Sequence, residues 1–353
     1  LGDLAAMSWM PCLVESRAGS VVPVVRLGHP LVDRYLEFVA ARGRPNTVLA
    51  AGYDLKVFFS VVGKDPVEVT TADGLGFITA QRGDRQVIRI TDGESGMSPR
   101  TIQRRLSTLS GLFSFLVARG DMAANPVPRG LATRAPRRSG RGAPLVRAPR
   151  TLPRILEPVE VDALFGALRT WRDRAMVEAM VLGGLRRNET LGLRFSDLKP
   201  GERRLFVAEG KGGHSRWIPI SDRFFTTVAA YLDEERPREA STDRVFLVLK
   251  GPNRGRPLSP KGLEQIIRGA RQRAGLDHAT CHELRHTCLT RLREAGMSLE
   301  AIQAQAGHRS IESTRIYLHL ANSWLADEYR RAADRIDADR FARTVTELGE
   351  VNP

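Results

Sequence analysis

Acidic residues are missing from one long stretch of this chain. Between Asp121 and Glu157 there is no Asp or Glu, while the same stretch carries Arg129, Arg134, Arg137, Arg138, Arg141, Arg147, Arg150 and Arg154 among six prolines. Proline stiffens and extends a backbone, and unopposed arginines repel one another, so this stretch is predicted to be a linker rather than part of a core. Cysteine is scarce too. Cys12, Cys281 and Cys288 are odd in number and form no CxxC pair; a disulfide framework is excluded, and free thiols in a reducing cytoplasm are expected. No apolar run reaches the ~20 residues that a membrane-spanning helix needs. The opening residues 1–11 carry Asp3 and lack a basic segment, so no signal peptide is read there. No internal repeat is found, and no low-complexity segment beyond the linker.

What is present is size and positive charge. A chain of 353 residues, 42% of them apolar, is long enough for two domains, each with a core. Fifty-four Lys and Arg against 40 Asp and Glu leave a formal net charge of +14, which favours a polyanionic partner, nucleic acid first.

Helical spacing begins at Pro30, with Leu31, Val32, Tyr35, Leu36 and Val39 on one side and an end near Gly43. Asn46 reads as the cap of a second helix carrying Val48, Leu49, Tyr53, Leu55, Phe58 and Phe59. A short helix is predicted over 72–81, then a polar loop over 86–97. Ser98-Pro99 opens a longer helix whose stripe is Ile102, Leu106, Leu109, Phe113 and Leu116, with Arg100, Arg104 and Arg105 mostly off it. Beyond the linker, helices are predicted over 157–169, 171–182, 221–235 and 258–274, with a last one over 323–348. A hairpin pairs residues 204–207 with 216–219 around a Gly-rich turn that presents Lys211. The run 245–249 fits either a strand or a helix start. The expected class is mainly α with a small antiparallel β-sheet (α+β). Its parts are an N-terminal extension over 1–27, read as a loose arm; a helical, basic-faced domain over 28–130; the linker over 131–152; a second domain over 153–322; and a C-terminal helix and tail over 323–353. DNA contacts are expected from Arg100, Arg104, Arg105, Arg137, Arg138 and Arg141.

The chemistry concentrates late in the chain. His282 and Arg285 lie three apart on a predicted helix and so share a face; His308 ends the next helical run, and Tyr317 follows nine residues later. Phosphodiester cleavage without a metal needs a nucleophile, fixed cations for the charge that builds on the phosphate, and an acid for the leaving oxygen. Arginine is always charged and binds phosphate in a planar fork. Arg186 and Arg285 can form such a clamp, with His282 and His308 adding hydrogen bonds. Lys211 suits the acid and Tyr317 the covalent nucleophile. Glu189 reads as a residue that positions an arginine or caps a helix, and His286 as one that satisfies a buried hydrogen bond.

Taken together, these stretches resemble the phage integrase family of tyrosine recombinases. The resemblance is carried by Gly184-Leu185-Arg186-Arg187-Asn188-Glu189, Leu191-Gly192-Leu193-Arg194, Gly210-Lys211-Gly212-Gly213, His282-Glu283-Leu284-Arg285-His286-Thr287, Glu294-Ala295-Gly296, Gly307-His308 and Ile316-Tyr317-Leu318-His319, in the family's order. It implies that Arg186, His282 and Arg285 hold the scissile phosphate, that Lys211 is the general acid, that His308 assists at the phosphate, and that Tyr317 becomes linked to the 3′ phosphate. It also implies double-stranded DNA sites, a homotetramer working through a Holliday junction, and accessory DNA-bending or directionality proteins. No metal and no nucleotide cofactor is called for. The C-terminal run is either the family's protomer-exchange segment or a helix packed on its own domain.

Three departures and one decoy stand beside this. Arg187 occupies a position that is usually aliphatic, so Arg186 is chosen over Arg187 on its register with Glu189. Ala306 replaces a common leucine and Cys288 a common aromatic. His282-Glu283-Leu284-Arg285-His286 also satisfies the HExxH pattern of zinc peptidases, a reading that leaves Arg186, Lys211, Tyr317 and the basic linker unexplained. A further alternative is a DNA-binding regulator of the same fold that does no chemistry.

Overall fold

The structure is a computed structural model that describes residues 9–16, 24–83, 96–127, 145–147, 153–208, 215–308, 311–315, 317 and 330. The chain divides into two compact units, Leu1–Arg150 and Thr151–Pro353. Its described elements are mainly helical, as the periodicities predict, with two small antiparallel sheets where one was expected.

In the first unit, strands β1 (Val14–Ser16) and β2 (Val24–Arg26) pair antiparallel ahead of four helices: α1 (Pro30–Arg42), α2 (Pro45–Val62), α3 (Thr71–Gly83) and α4 (Pro99–Arg119). The helices start where chain chemistry says they should. Ser98 caps α4 by accepting from Thr101 N–H at 3.2 Å, and proline takes the first turn. Ile102, Leu109, Leu112, Phe113 and Leu116 are fully buried on its inner side. One cap differs from expectation: Arg44 precedes α2, Pro45 begins it, and Asn46 lies inside the first turn.

The loose arm is a correction. Val25 and Leu27 are buried in the helical core, and Trp9 donates to the Leu27 carbonyl at 3.2 Å. Val25 and Leu27 carry no periodic signal, yet they bury where the short β1–β2 pair meets α1 and α2. The linker is also anchored at one point. Val146 is 3% exposed, and its carbonyl accepts from Gln103 Nε2 at 2.6 Å. Apart from 145–147, the stretch 131–152 lies outside the described residues, as do most of the 86–97 loop and, except for residue 330, the predicted 323–348 helix.

The second unit is built round α6 (Trp171–Val181). Ala175, Met176, Val177, Ala179 and Met180 of that helix are all fully buried, because α8 (Asp222–Glu234) and α10 (Cys281–Glu294) pack against it. Its buried charges are paired, Arg172 with Asp173 at 2.7 Å and Glu178 with Arg223 at 2.9 Å, so the helix can sit in the centre of the core. The others are α5 (Pro158–Ala167), α7 (Arg187–Gly192), α9 (Pro260–Arg273) and α11 (Leu299–Ala306). Strands β3 (Leu198–Lys199), β4 (Arg204–Val207) and β5 (Arg216–Pro219) form the sheet, with Leu205 opposite Ile218 and Val207 opposite Arg216. Residues 245–249 join neither a helix nor a named strand; Leu247 makes an isolated bridge to Pro257. No described helix is long and apolar enough to cross a membrane.

Candidate active site

Four places in the second unit converge: the α6–α7 turn, β5, the first half of α10 and the end of α11. The α6–α7 turn is made by Gly183 and Gly184. Gly184 has φ +66°, a conformation costly for other residues, and its carbonyl accepts a hydrogen bond from Arg285 Nη1. Thr280 caps α10 by accepting from Glu283 N–H at 3.2 Å, and residues 284–290 that follow are all buried.

The centre is a carboxylate. Glu189 on α7 has a side chain 2% exposed, and three arginines surround it. Arg186 Nη1 donates at 2.7 Å, and Arg216 donates through Nη1 at 3.2 Å and Nη2 at 3.1 Å. Arg285 Nη1 stands 3.9 Å away. Burial alone would raise the Glu189 pKa, but the hydrogen bonds and charges of Arg216 and Arg186 outweigh it and hold the carboxyl below its ordinary value. One negative charge against three positive ones leaves the cluster cationic and short of an anion.

Arg285 is 3% exposed, and burial, then the charge of Arg186, pull its pKa down to about 10, still protonated at neutral pH. Its Nη2 donates to the Ala306 carbonyl at 2.7 Å and to His308 Nε2 at 3.1 Å. A guanidinium can only donate, so His308 Nε2 is the acceptor and Nδ1 carries the proton, donated to Thr314 Oγ1 at 3.0 Å. Burial, then Arg285 and Arg186, depress the His308 pKa to about 4.

Tyr317 is 1% exposed and packs with Leu289, Ile302 and Ala306. Burial pushes its phenol up to about 12. Its oxygen is 2.9 Å from His286 Nδ1, and His286 Nε2 is 2.8 Å from His282 Nε2. His282 lies at the exposed end of this row. Burial, then the neighbouring His282 and Arg285, lower the His286 pKa to about 3.

The structure therefore brings together Arg186, Glu189, His282, Arg285, His286, His308 and Tyr317. Arg187 is elsewhere: it pairs with Glu264 on α9. Lys211 lies outside the described residues, as do Arg137, Arg138 and Arg141. In the first unit, Arg100 is exposed. Arg104 is half-exposed and pairs with buried Asp54 at 2.5 Å. Arg105 turns inward to Gln81 and Asp54 and is largely buried, so it is not the solvated basic side chain that its place off the apolar stripe suggested. In the HExxH stretch the two imidazoles hydrogen-bond one another, and Glu283 lies 3.6 Å from His278 Nδ1.

Sequence reasoning missed Arg216 and Gln305. Arg216 also donates to the Gln305 carbonyl at 3.2 Å, and its guanidinium lies where any Cβ on Gly307 would meet it at 2.8 Å. The signal was available: Arg216 is two residues before buried Ile218, so the strand alternation puts a charge on the inward face. Gln305 donates to the Gly183 carbonyl at 3.0 Å and the Pro219 carbonyl at 3.1 Å, tying three of the converging elements; nothing in its helical spacing marks it.

Residues 154–323 match the model of the phage integrase family. Among curated proteins, the chain is 30% identical over 313 residues to the tyrosine recombinase XerC of Alcanivorax borkumensis, covering 86% of this chain and 94% of that protein. It is 29% identical over 318 residues to the tyrosine recombinase XerD of Listeria monocytogenes, covering 85% and 97%. Among solved structures, the Tn1549 transposon integrase in complex with transposon right end DNA superposes with a TM-score of 0.65 at 19% identity, covering 86% of this chain and 99% of that one. A dimer of lambda integrase residues 75–356 bound to a COC′ core site gives 0.61 at 22% identity, covering 82% of this chain and 94% of that one.

Proposed function

Because this chain belongs to the phage integrase family of tyrosine recombinases, we propose that Tyr317 is the nucleophile with which it cuts and rejoins DNA. The protein is an enzyme of site-specific DNA recombination. Its phenol oxygen attacks the scissile phosphorus; the bond to the 5′ oxygen breaks, and a 3′-phosphotyrosine forms. Arg186 and Arg285 hold the non-bridging oxygens, where fixed cations matter most as charge develops. Glu189 and Arg216 position them. His282 and His308 complete the phosphate's surroundings, and Lys211 protonates the departing 5′ oxygen. The energy of the broken ester is kept in the phosphotyrosine, so resealing needs neither metal nor nucleotide.

The observation that carries this reading is the cationic cluster gathered on Glu189 beside a tyrosine whose oxygen is already hydrogen-bonded to an imidazole. An anion-deficient site and a nucleophile within one set of elements are what phosphodiester attack requires.

The partner is double-stranded DNA carrying recombination sites. Two such sites joined through a Holliday junction call for a homotetramer, with accessory bending or directionality proteins at some sites. Arg100 and the arginines of the linker supply sequence-independent phosphate contacts. We infer a cytoplasmic, nucleoid-associated protein that serves a phage or other mobile element.

The test is to express the wild type and Tyr317→Phe in cells, trap covalent protein–DNA adducts under denaturing conditions and sequence the attached DNA. Adducts at one or a few sites that vanish in the variant are expected. Adducts that persist in Tyr317→Phe overturn the assignment of the nucleophile.

A further inference from the structure

A tyrosine attacking phosphorus must lose its proton, and the arginines of this site cannot take it, because a guanidinium has no acceptor. His308 is not placed to take it either: its Nε2 accepts from Arg285 and its Nδ1 faces Thr314. Among the described residues, the acceptor within hydrogen-bond distance of the Tyr317 oxygen is His286 Nδ1, at 2.9 Å. His286 is itself 8% exposed and cannot release a proton directly to water. Its other nitrogen is 2.8 Å from His282 Nε2, and the two rings meet edge to face with centroids 4.2 Å apart. His282 is exposed. Phenol, buried imidazole and exposed imidazole thus form an unbroken row from the nucleophile to solvent.

Resting on Tyr317 as nucleophile, we propose that His286 is a proton relay between Tyr317 and His282. The O–H bond of Tyr317 breaks and its proton goes to His286 Nδ1. The N–H bond at His286 Nε2 breaks and that proton goes to His282 Nε2. His286 ends as the opposite neutral tautomer, His282 as an imidazolium, and Tyr317 as the phenolate that bonds to phosphorus. Charge and protons balance, and His282 returns its proton to water.

The surroundings suit a relay better than a terminal base. Burial first, then His282 on the same helix, Arg285 beside it and His308 after α11, oppose a second proton on His286 and lower its pKa to about 3. An imidazole that cannot hold two protons passes one on as it receives another. A purely structural histidine would need only the bond to Tyr317 and would not need a second imidazole leading outward.

The experiment uses full-length protein and a synthetic nicked duplex built from the DNA recovered in the adduct experiment, read as single-turnover formation of the covalent adduct. His286→Asn keeps an acceptor near the Nδ1 position but transmits nothing. Its cleavage rate is expected to fall about 10²-fold at pH 7, the usual span for proton-transfer catalysis. That rate should climb about tenfold per pH unit toward pH 9 as hydroxide takes over, while duplex affinity and melting temperature stay near wild type. The wild type supplies a check that needs no variant: its rate in H₂O–D₂O mixtures should curve as two protons in flight require. A wild-type rate in His286→Asn, a loss that is equal at every pH, or a linear isotope dependence each overturns the relay while leaving Tyr317 as nucleophile. Adducts that survive Tyr317→Phe overturn both.

Discussion

Arg216 on β5 and Glu189 on α7 are joined by two hydrogen bonds, of 3.2 and 3.1 Å, at a carboxylate that water scarcely reaches. The pair ties β5 to α7, the helix that begins directly after Arg186. Among the described residues Glu189 is the negative charge that pairs with all three arginines, so its removal acts on fold and site together.

Glu189→Gln leaves Arg186, Arg216 and Arg285 without their counter-charge. Breaking a buried ion pair from one side costs about 3–5 kcal/mol. Urea unfolding should show a loss near the lower end of that range, because the Arg186 side chain keeps 25% of its exposure. An unchanged unfolding midpoint would mean that the arginines stand without the carboxylate.

Arg186 and its neighbour should separate cleanly. Arg186→Ala removes a cation from the proposed phosphate clamp and is expected to slow adduct formation by about 10²–10³-fold, the usual cost of losing one such donor. Arg187→Ala breaks a partly exposed pair with Glu264 and should cost less than about 1 kcal/mol of stability. Single-turnover rates of the two variants decide; a slow Arg187→Ala and a normal Arg186→Ala would reverse the assignment.

In the first unit, Arg105→Ala is expected to destabilise the fold by about 2 kcal/mol, since it strips a charged hydrogen bond from Gln81 and a cation from buried Asp54. Arg100→Ala should leave the melting temperature alone. It should lower DNA affinity for any sequence and reduce the salt slope of binding by about one. Melting curves and salt titrations on the two proteins give the comparison.

Acid should weaken the second unit through its histidines. His286 and His308 are held at about 3 and about 4, below the ordinary 6.5, so the unfolded chain binds protons that the folded chain refuses. Their contribution is fully present above pH 6.5 and is lost as pH falls from there through the folded values. Up to about 3 kcal/mol per imidazole is at stake by pH 4. The urea midpoint of the wild type should decline steadily below pH 6.5, and less steeply in His308→Asn.

Much of this was readable beforehand, for physical reasons. Helices such as α4 announce themselves because a capping serine, a proline and a 3.6-residue stripe all agree. The candidate site was legible because unusual residue types fall in a fixed order. What escaped has a different origin. Val25 and Leu27 bury without any repeating pattern. Arg105 carries a charge that sequence assigns to water, but Asp54 offers it a partner inside. Arg186 and Arg187 are adjacent and chemically identical; only the turn at Gly183-Gly184 decides which one faces Glu189. The link from His286 to Tyr317 spans 31 residues and depends on how α10 meets the segment after α11.

The cysteines have a practical meaning beyond the redox compartment. Cys288 is buried, with its thiol pushed up to about 12 by burial, and half-buried Cys281 is pushed to about 11 for the same reason, whereas Cys12 is exposed. A maleimide dye at neutral pH reacts with thiolate that it can reach, so it should enter at Cys12 and spare the other two. The native chain therefore offers a single attachment point for a fluorophore in the first unit. Its encounters with labelled DNA can be followed by energy transfer without engineering a cysteine or touching the reactive centre.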